Sequence, residues 1–509
     1  MPGEPPAHGR AKRNHPPQRA VGLLLPPMGP AVSRNVLVPL IVACALFMEN
    51  MDSTVLATSL PVIARDLSVD PIALKLALTS YLVSLAVFIP VSGWMADRFG
   101  ARTIFRTAIL IFMAGSLLCA MANSLAWFVF ARFVQGMGGA MMVPVGRLVI
   151  LRTVPKAQMV QALAYLTIPA MIGPVVGPPL GGFISTFFDW RWIFFINIPI
   201  GLVGIVLASV FIENVREEDV PPLDLAGFAM TAIGLSALMM GFATGGRHLV
   251  SQEVSVLLVI AGAVMLFFYW RHAKRAAHPV LDLTLLRFPT FRAGVVGGSL
   301  FRIGIGAVPF LLPLMLQLGF GLNALQSGLL TFAAAAGAMF MKTLAARILR
   351  MFGFRRTLAV NCVIACAFLA ATGLFTPETP HVVIVTVLLI GGFFRSLQFT
   401  SINAVGYADV TSRDMSLATS FSSVSQQISL SMGVAIGALA LEATGYMRGT
   451  DGLTAGDFAP AFLVVALISL TSLAYWLRLA PDAGAEVSGH VRTSRQITAE
   501  AVQDNMPGR

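Results

Sequence analysis

Long apolar runs separated by short polar segments recur from about residue 36 to residue 478. A bilayer core takes about 20 helical residues. Fourteen runs of roughly that length can be placed, at about 36–62, 73–95, 103–122, 126–151, 159–185, 190–212, 224–245, 252–271, 294–318, 325–348, 356–376, 382–405, 416–443 and 458–478. The pattern predicts an all-α polytopic membrane protein with 14 transmembrane helices. The flanks differ. Residues 1–35 are rich in Pro and basic residues and hold no spanning stretch, which predicts a disordered N-terminal tail. The first apolar run carries Glu49 and Asp52 and has no small-residue cleavage site, so it reads as a helix and not as a signal peptide. Residues 479–509 are polar and predict a disordered C-terminal tail.

A weak internal repeat organises the helices. Phe99-Gly100-Ala101-Arg102 follows helix 2, and the similar Phe352-Gly353-Phe354-Arg355 follows helix 10. An offset of eight helices fits two six-helix bundles, 36–212 and 272–478, with two linker helices in 213–271. Repeated halves facing each other across a central site are a common transporter plan.

Composition narrows the class. Hydrophobic residues make up 56% of the 509 and charged residues only 12%, about half the roughly 25% of soluble domains. A soluble fold and a disordered chain are both excluded. The net charge of +11 would suggest nucleic acid in a soluble protein. Here its placement matters, because Lys and Arg collect in cytoplasmic loops. Every second connection is basic: Arg98, Arg102 and Arg106 after helix 2, Arg152 and Lys156 after helix 4, Arg271, Lys274, Arg275, Arg287 and Arg292 after helix 8, and Arg347, Arg350, Arg355 and Arg356 after helix 10. The segment from Glu213 to Asp224 dissents, with one Arg among five acids, but acids weigh little in orientation. The expectation is a multi-pass protein of the cytoplasmic (inner) membrane with both termini in the cytoplasm and no nucleic-acid partner.

Charge inside a membrane is costly and tends to be functional. Of the 24 acids, Glu49 and Asp52 are the two read as lying well inside a helix. They are three residues apart and share one face, which Ser53 borders. Arg132 lies in helix 4 and Arg302 in helix 9, while Arg147, Lys342 and Arg395 are read as nearer helix ends, where they can snorkel. At about 1.5 Å per residue, Asp52 and Arg132 reach similar depths, so the two can pair. A carboxylate whose arginine moves closer and farther as water enters and leaves could load and release a proton; a static structural pair is the other reading.

At this point the motifs carry a resemblance. Gly93-Trp94-Met95-Ala96-Asp97-Arg98-Phe99-Gly100-Ala101-Arg102 resembles the signature loop of the major facilitator superfamily, and Arg132-Phe133-Val134-Gln135-Gly136-Met137-Gly138-Gly139-Ala140 resembles its helix 4 motif. Gly173-Pro174-Val175-Val176-Gly177-Pro178-Pro179-Leu180-Gly181-Gly182 resembles the helix 5 motif of its antiporters. Met51-Asp52-Ser53-Thr54-Val55 with Leu60-Pro61 is similar to helix 1 of drug:proton antiporters, and Trp190-Arg191-Trp192-Ile193-Phe194-Phe195-Ile196-Asn197-Ile198-Pro199-Ile200-Gly201 to the start of helix 6 in the 14-helix branch. The resemblance spans about residues 36–478. It implies proton-driven efflux of drug-like molecules. Asp52, Glu49 and Arg132 would then serve in proton coupling, and Gly93, Asp97, Arg98, Gly100 and Arg102 in gating. Gly173, Pro174, Gly177, Pro178, Gly181 and Gly182 would form the antiporter face, where small residues let helices pack and slide. Asp97 can cap a facing helix end and latch the inner gate, and Gly93 permits close approach. The chain departs from the pattern in Leu56-Ala57-Thr58-Ser59, where an Asn-Val-Ala-like run is usual, and in the second-half loop, where Arg350 aligns with Asp97 and Ala346 with Gly93.

Candidates for a substrate cavity are Asn50, Gln135, Met141, Arg302, Arg395, Gln426 and Gln427. The last two lie in the Ser- and Gln-rich inner half of helix 13, which lines a cavity or binds neighbouring helices. Met141 is either part of an adaptable wall or plain packing. Cys44, Cys119, Cys362 and Cys366 read as small apolar packing residues, and no metal site or cofactor is expected. The energy source would be the proton gradient, the partners small molecules, protons and the bilayer, and the working unit a monomer. The same fold could instead export a native metabolite, lipid or siderophore. An enzyme is disfavoured by the absence of a catalytic cluster, a channel by the absence of a repeated filter, and an ATP-driven pump by the absence of a phosphate-binding loop.

Overall fold

The computed structural model describes residues 34–154, 159–217, 220–245, 250–411, 414–449 and 453–490. The N-terminal tail expected over 1–35 therefore lies almost wholly outside the described residues. Thirteen helices among the described residues are long and apolar enough to cross a membrane. One of them, Ala324–Thr372, has 49 residues and breaks at Gly353, where φ is 70° and ψ 171°. At about 1.5 Å per residue it is more than twice as long as the bilayer core is thick, so it serves as two spans. The expected fourteen are thus present.

They are α1 (Arg34–Asp66), α2 (Lys75–Phe99), α3 (Ala101–Ala120), α4 (Leu125–Thr153), α5 (Met159–Phe187), α6 (Trp192–Phe211), α7 (Leu225–Thr244), α8 (Gln252–Ala273), α9 (Pro289–Gly319), α10 (324–352), α11 (354–372), α12 (His381–Gly406), α13 (Met415–Arg448) and α14 (Ala455–Leu477). Local chemistry sets several ends. Ser124 caps α4 by accepting the Trp127 amide, and Asn323 with Gln326 forms a reciprocal capping box at α10. The internal repeat has a geometric meaning. Gly100 at φ 95° turns α2 into α3, and Gly353 turns α10 into α11. Both occupy backbone regions that suit glycine alone.

Two bundles, α1–α6 and α9–α14, meet along α1/α9, α2/α13 and α5/α10. The linker helix α7 packs on both α2 and α13 and so straddles that seam. One end of the molecule carries the arginine-rich connections. At the opposite end a single apolar core crosses the seam, from Val55, Leu60 and Ile184 to Leu311, Leu314, Leu330 and Val434. Toward the arginine-rich end each bundle has a core of its own, one around Phe105, Phe112 and Met142 and the other around Phe354, Leu358 and Trp476, and a smaller cluster of Val83, Val87, Leu235, Met239, Tyr269 and Val424 joins α2 to α13 through the linker helices. The far end is closed across the seam. Lys75 reinforces it, donating to Glu442 at 2.9 Å and to the Gly245 carbonyl at 3.0 Å. Glu442 thus lies inside a helix and not at its end, because α13 runs to Arg448 and not to 443.

The C-terminal segment also departs from expectation. The chain is folded as far as His490, with a short turn of helix at Ala485–Ser488. Leu479 is buried, Gly484 backs onto Phe354, and His490 Nδ1 donates to the Arg350 carbonyl at 2.8 Å. That carbonyl is freed by the break at Gly353, and a helix end needs such a partner.

Candidate functional site

The membrane-embedded acids of α1 lie against α3, α4 and α6. Asp52 is 3% exposed and Arg132 1%, so both have left water entirely. Arg132 Nη1 lies 2.6 Å from Asp52 Oδ2. Asp52 Oδ1 accepts from Gln135 Nε2 at 2.8 Å and from Asn197 Nδ2 at 2.9 Å. Ser116 of α3 closes the cluster, its hydroxyl accepting from Gln135 at 2.8 Å and Asn197 at 3.1 Å. Arg132 also donates to Gln135 Oε1 and stacks 4.3 Å above the Tyr81 ring. Three donors on one carboxylate answer the requirement that a buried charge be paired and hydrogen-bonded.

Glu49, one turn away, has a different environment. The residue is half-buried, yet its Oε2 is enclosed and finds no hydrogen-bond partner. The Tyr81 hydroxyl, also enclosed, lies beside it and is the hydroxyl within reach of the Glu49 carboxylate. One acid of the pair is therefore saturated with donors and the other keeps an open acceptor.

The glycines of α5 explain how α1 is held. A side chain at Gly173 would meet the Phe47 carbonyl at 2.9 Å and the Met51 nitrogen at 3.0 Å; at Gly177 it would strike Thr54, and at Gly181 the Val55 carbonyl at 2.5 Å. The glycine face thus lies directly on the stretch of α1 that carries Glu49 and Asp52. Gly182 lies against Ala324, and Gly328 against the Pro178 carbonyl, so the same segment of α5 also forms the seam with α10. Pro169, Pro174, Pro178 and Pro179 all lie inside α5, where each removes a backbone donor.

The signature loop differs from its expected role. Asp97 Oδ1 pairs with Arg152 Nη2 at 2.7 Å, and Arg152 also pairs with Glu217 at 2.7 Å. Trp94 Nε1 donates to the Pro221 carbonyl at 2.8 Å and Arg102 to that of Ile212 at 3.3 Å. These contacts tie α2 and α3 to α4 and to the connection after α6, all on the N-terminal side. Among the described residues the loop makes no latch across the seam. Nothing lies within 4 Å of a Cβ built at Gly93, so no close approach occurs there. Arg98 is exposed.

The cavity candidates divide. Gln135 belongs to the Asp52 cluster. Met141 is 3% exposed and packs in the core of the first bundle, so it is no cavity wall. Arg302 is 1% exposed and donates to Asn403 at 2.7 Å, an internal tie between α9 and α12. Asn50 donates to the Leu46 carbonyl of its own helix at 2.8 Å. Gln426 and Gln427 are half-buried and make no hydrogen bond among the described residues. Arg395, read from the sequence as near a helix end, sits close to the middle of the 26-residue α12. Tyr81, Ser116 and Asn197 join the cluster without any distinctive signal in the sequence. Asn197 stood in the quoted helix 6 motif, and all three are polar residues within apolar runs.

A profile of the Major Facilitator Superfamily matches residues 42–434 and 294–503. A protein named for multidrug resistance, MdtD, from Pectobacterium atrosepticum is 36% identical over 446 residues, covering 87% of this chain and 95% of the relative. The protein of that name from Salmonella paratyphi A is 36% identical, covering 79% and 85%. Among solved structures, a D-xylose-proton symporter aligns with a TM-score of 0.64 at 13% identity, covering 89% of this chain and 99% of that one. The nucleoside transporter NupG aligns at 0.56 and 13%, covering 88% and 100%. These two likenesses carry the fold alone.

Proposed function

This chain belongs to the Major Facilitator Superfamily, and on that premise we propose that it exports drug-like or amphipathic small molecules in exchange for protons, by alternating access. It is a multi-pass membrane transporter and not an enzyme. The observation that carries the proton-coupled reading is the pair of acids on α1. Asp52 is held by Arg132, Gln135 and Asn197, and Glu49 beside it keeps an enclosed, open acceptor.

The geometry suggests a division of labour. Glu49 takes the proton, and the Asp52–Arg132 pair transmits its arrival to α4. A change of charge at Glu49 alters the field at Asp52 three residues away, and Arg132 then shifts between Asp52 and the Tyr81 ring. Because α1 rests on the glycine face of α5, a small movement of α1 reaches the α5/α10 contact that seals the far end. We place the arginine-rich end in the cytoplasm of a bacterial inner membrane, with the protein acting as a monomer and without a bound cofactor. Each proton moving inward then supplies about 2.3 kcal/mol per 100 mV.

Inverted membrane vesicles test this reading. An imposed proton gradient should collapse measurably when a substrate dye is added, and Glu49→Gln and Asp52→Asn should each abolish the response. Full coupling in both variants would exclude the α1 acids. No coupling across cationic, anionic and neutral dyes would refute drug export and turn attention to a native metabolite.

A further inference from the structure

The segment after α14 builds a cavity at the arginine-rich end of the second bundle. Leu479 is buried, Gly484 (φ 68°) lies against Phe354, and His490 holds the Arg350 carbonyl, so residues 479–490 are fixed against the bundle. Between this segment, the start of α9 and the end of α12 lies a cavity of about 650 Å³, within the roughly 300–1,000 Å³ of small-molecule sites. Arg292, Asp409, Arg478, Asp482 and Glu486 all line it. All five are exposed, and none makes an ion pair with a described residue. Opposite charges within reach of one another would pair; here the cavity keeps them apart. Asp409 is partly engaged, accepting from the Thr290 amide at 3.4 Å. The other four side chains make no hydrogen bond with any described residue. Tyr475, in the last turns of α14, also lines the cavity. A tyrosine at the end of a span sits at headgroup level, which puts the cavity at the membrane surface.

We propose that this cavity binds a zwitterion carrying a phosphate and a primary ammonium, with Arg292 and Arg478 holding the phosphate and Asp482 and Glu486 the ammonium. A guanidinium matches phosphate oxygens with paired N–H donors. A primary ammonium brings three donors and no acceptor, which is what unpaired carboxylates call for. A purely anionic ligand would face three carboxylates, and a purely cationic one two guanidiniums, so each meets like charge. The walls come from α9, α12, α14 and the segment after it, so the site is separate from the α1 acids and from the seam between the bundles. Its occupancy requires no proton gradient, so it stands or falls independently of the transport reading. The same chemistry is available in the headgroup of phosphatidylethanolamine and in free phosphoethanolamine.

The test uses the full chain in phosphatidylcholine nanodiscs, either doped with phosphatidylethanolamine or phosphatidylglycerol or given free phosphoethanolamine in solution. Native mass spectrometry and thermal stability read binding. Wild-type protein should retain the ethanolamine ligand at least tenfold better than phosphatidylglycerol or phosphatidylcholine. The pair Arg292→Gln and Arg478→Gln should weaken its binding at least tenfold, and Lys at both positions should recover part of the loss. The pair Asp482→Asn and Glu486→Gln should instead remove the preference for a primary over a quaternary ammonium. Ala480→Trp, which narrows the cavity without touching a charge, should block binding. The altered charges are exposed, so the ligand-free variants should melt with wild type; if one pair does not, the other pair and Ala480→Trp still decide the matter. Free phosphoethanolamine bound in pure phosphatidylcholine nanodiscs identifies a soluble source, and retention of the lipid alone identifies a membrane one. Equal retention of the three lipids by wild type with no uptake of free phosphoethanolamine, or binding unchanged in the charge pairs and in Ala480→Trp, overturns the proposal.

Discussion

Replacing Arg132 with Leu puts the buried pair to a quantitative test. With charges 2.6 Å apart, the gross attraction at an effective dielectric constant of about 20 is about 6 kcal/mol. Desolvation of the two ions offsets much of it, and the Gln135 and Asn197 donors stay with the stranded carboxylate. The expected loss for Arg132→Leu is therefore about 3–5 kcal/mol, the cost of leaving one buried charge uncompensated. Adding Asp52→Asn removes that charge, so the double variant should regain most of the lost stability. Thermal unfolding of the purified protein in nanodiscs reads the four corners of this cycle. Transport should be lost in all three variants, so stability alone distinguishes them. If Arg132→Leu melts with wild type, or if the double variant is no more stable than Arg132→Leu, the two residues do not form a mutually dependent buried pair.

Three further outcomes follow from other contacts. Gly177→Ala drives a methyl group into Thr54; overpacking of this kind costs about 1–3 kcal/mol, and vesicle transport should drop with stability, with partial recovery on adding Thr54→Ala. Gly353→Ala forces a side chain into a backbone region reserved for glycine, at a cost of about 1–3 kcal/mol, so its melting temperature should fall clearly below that of Gly93→Ala, where a Cβ meets nothing within 4 Å. Lys75→Met removes the donor that ties α2 to Glu442 and to the Gly245 carbonyl; a cysteine placed at Thr58, buried in the far-end seal, should then react faster with a water-soluble maleimide, and an unchanged rate would show that the apolar core alone keeps that end shut.

Much of the fold was legible because membrane spans write themselves into composition. A run such as 103–122 has to satisfy its backbone internally in lipid, so helix follows from apolar length. The positive-φ glycines Gly100 and Gly353 were legible for a similar reason, since a turn between two spans leaves a local mark in the chain. Asp52 and Arg132 could be paired by depth alone, because few charges lie inside the helices. Their other partners could not. Ser116 and Asn197 are ordinary polar residues in helices 81 positions apart, and which of the many buried hydroxyls and amides meets a given carboxylate depends on how the helices rotate about their axes.

The same limit separates Arg132 from Arg395. In sequence both are arginines in apolar helices, and the chain by itself determined that each lies where charge is costly. Only the packed structure gave Arg132 a carboxylate, tied Arg302 to Asn403, and left Arg395 with no hydrogen bond or ion pair among the described residues. Tertiary packing likewise decided that Asp97 binds Arg152 within its own bundle, that α13 carries Glu442 to Lys75, and that the C-terminal segment closes over Arg350. The span count and the repeat follow from local rules of length, charge and turn geometry. Each pairing depends on the rotation and height of two helices distant in the chain, which only their joint packing sets.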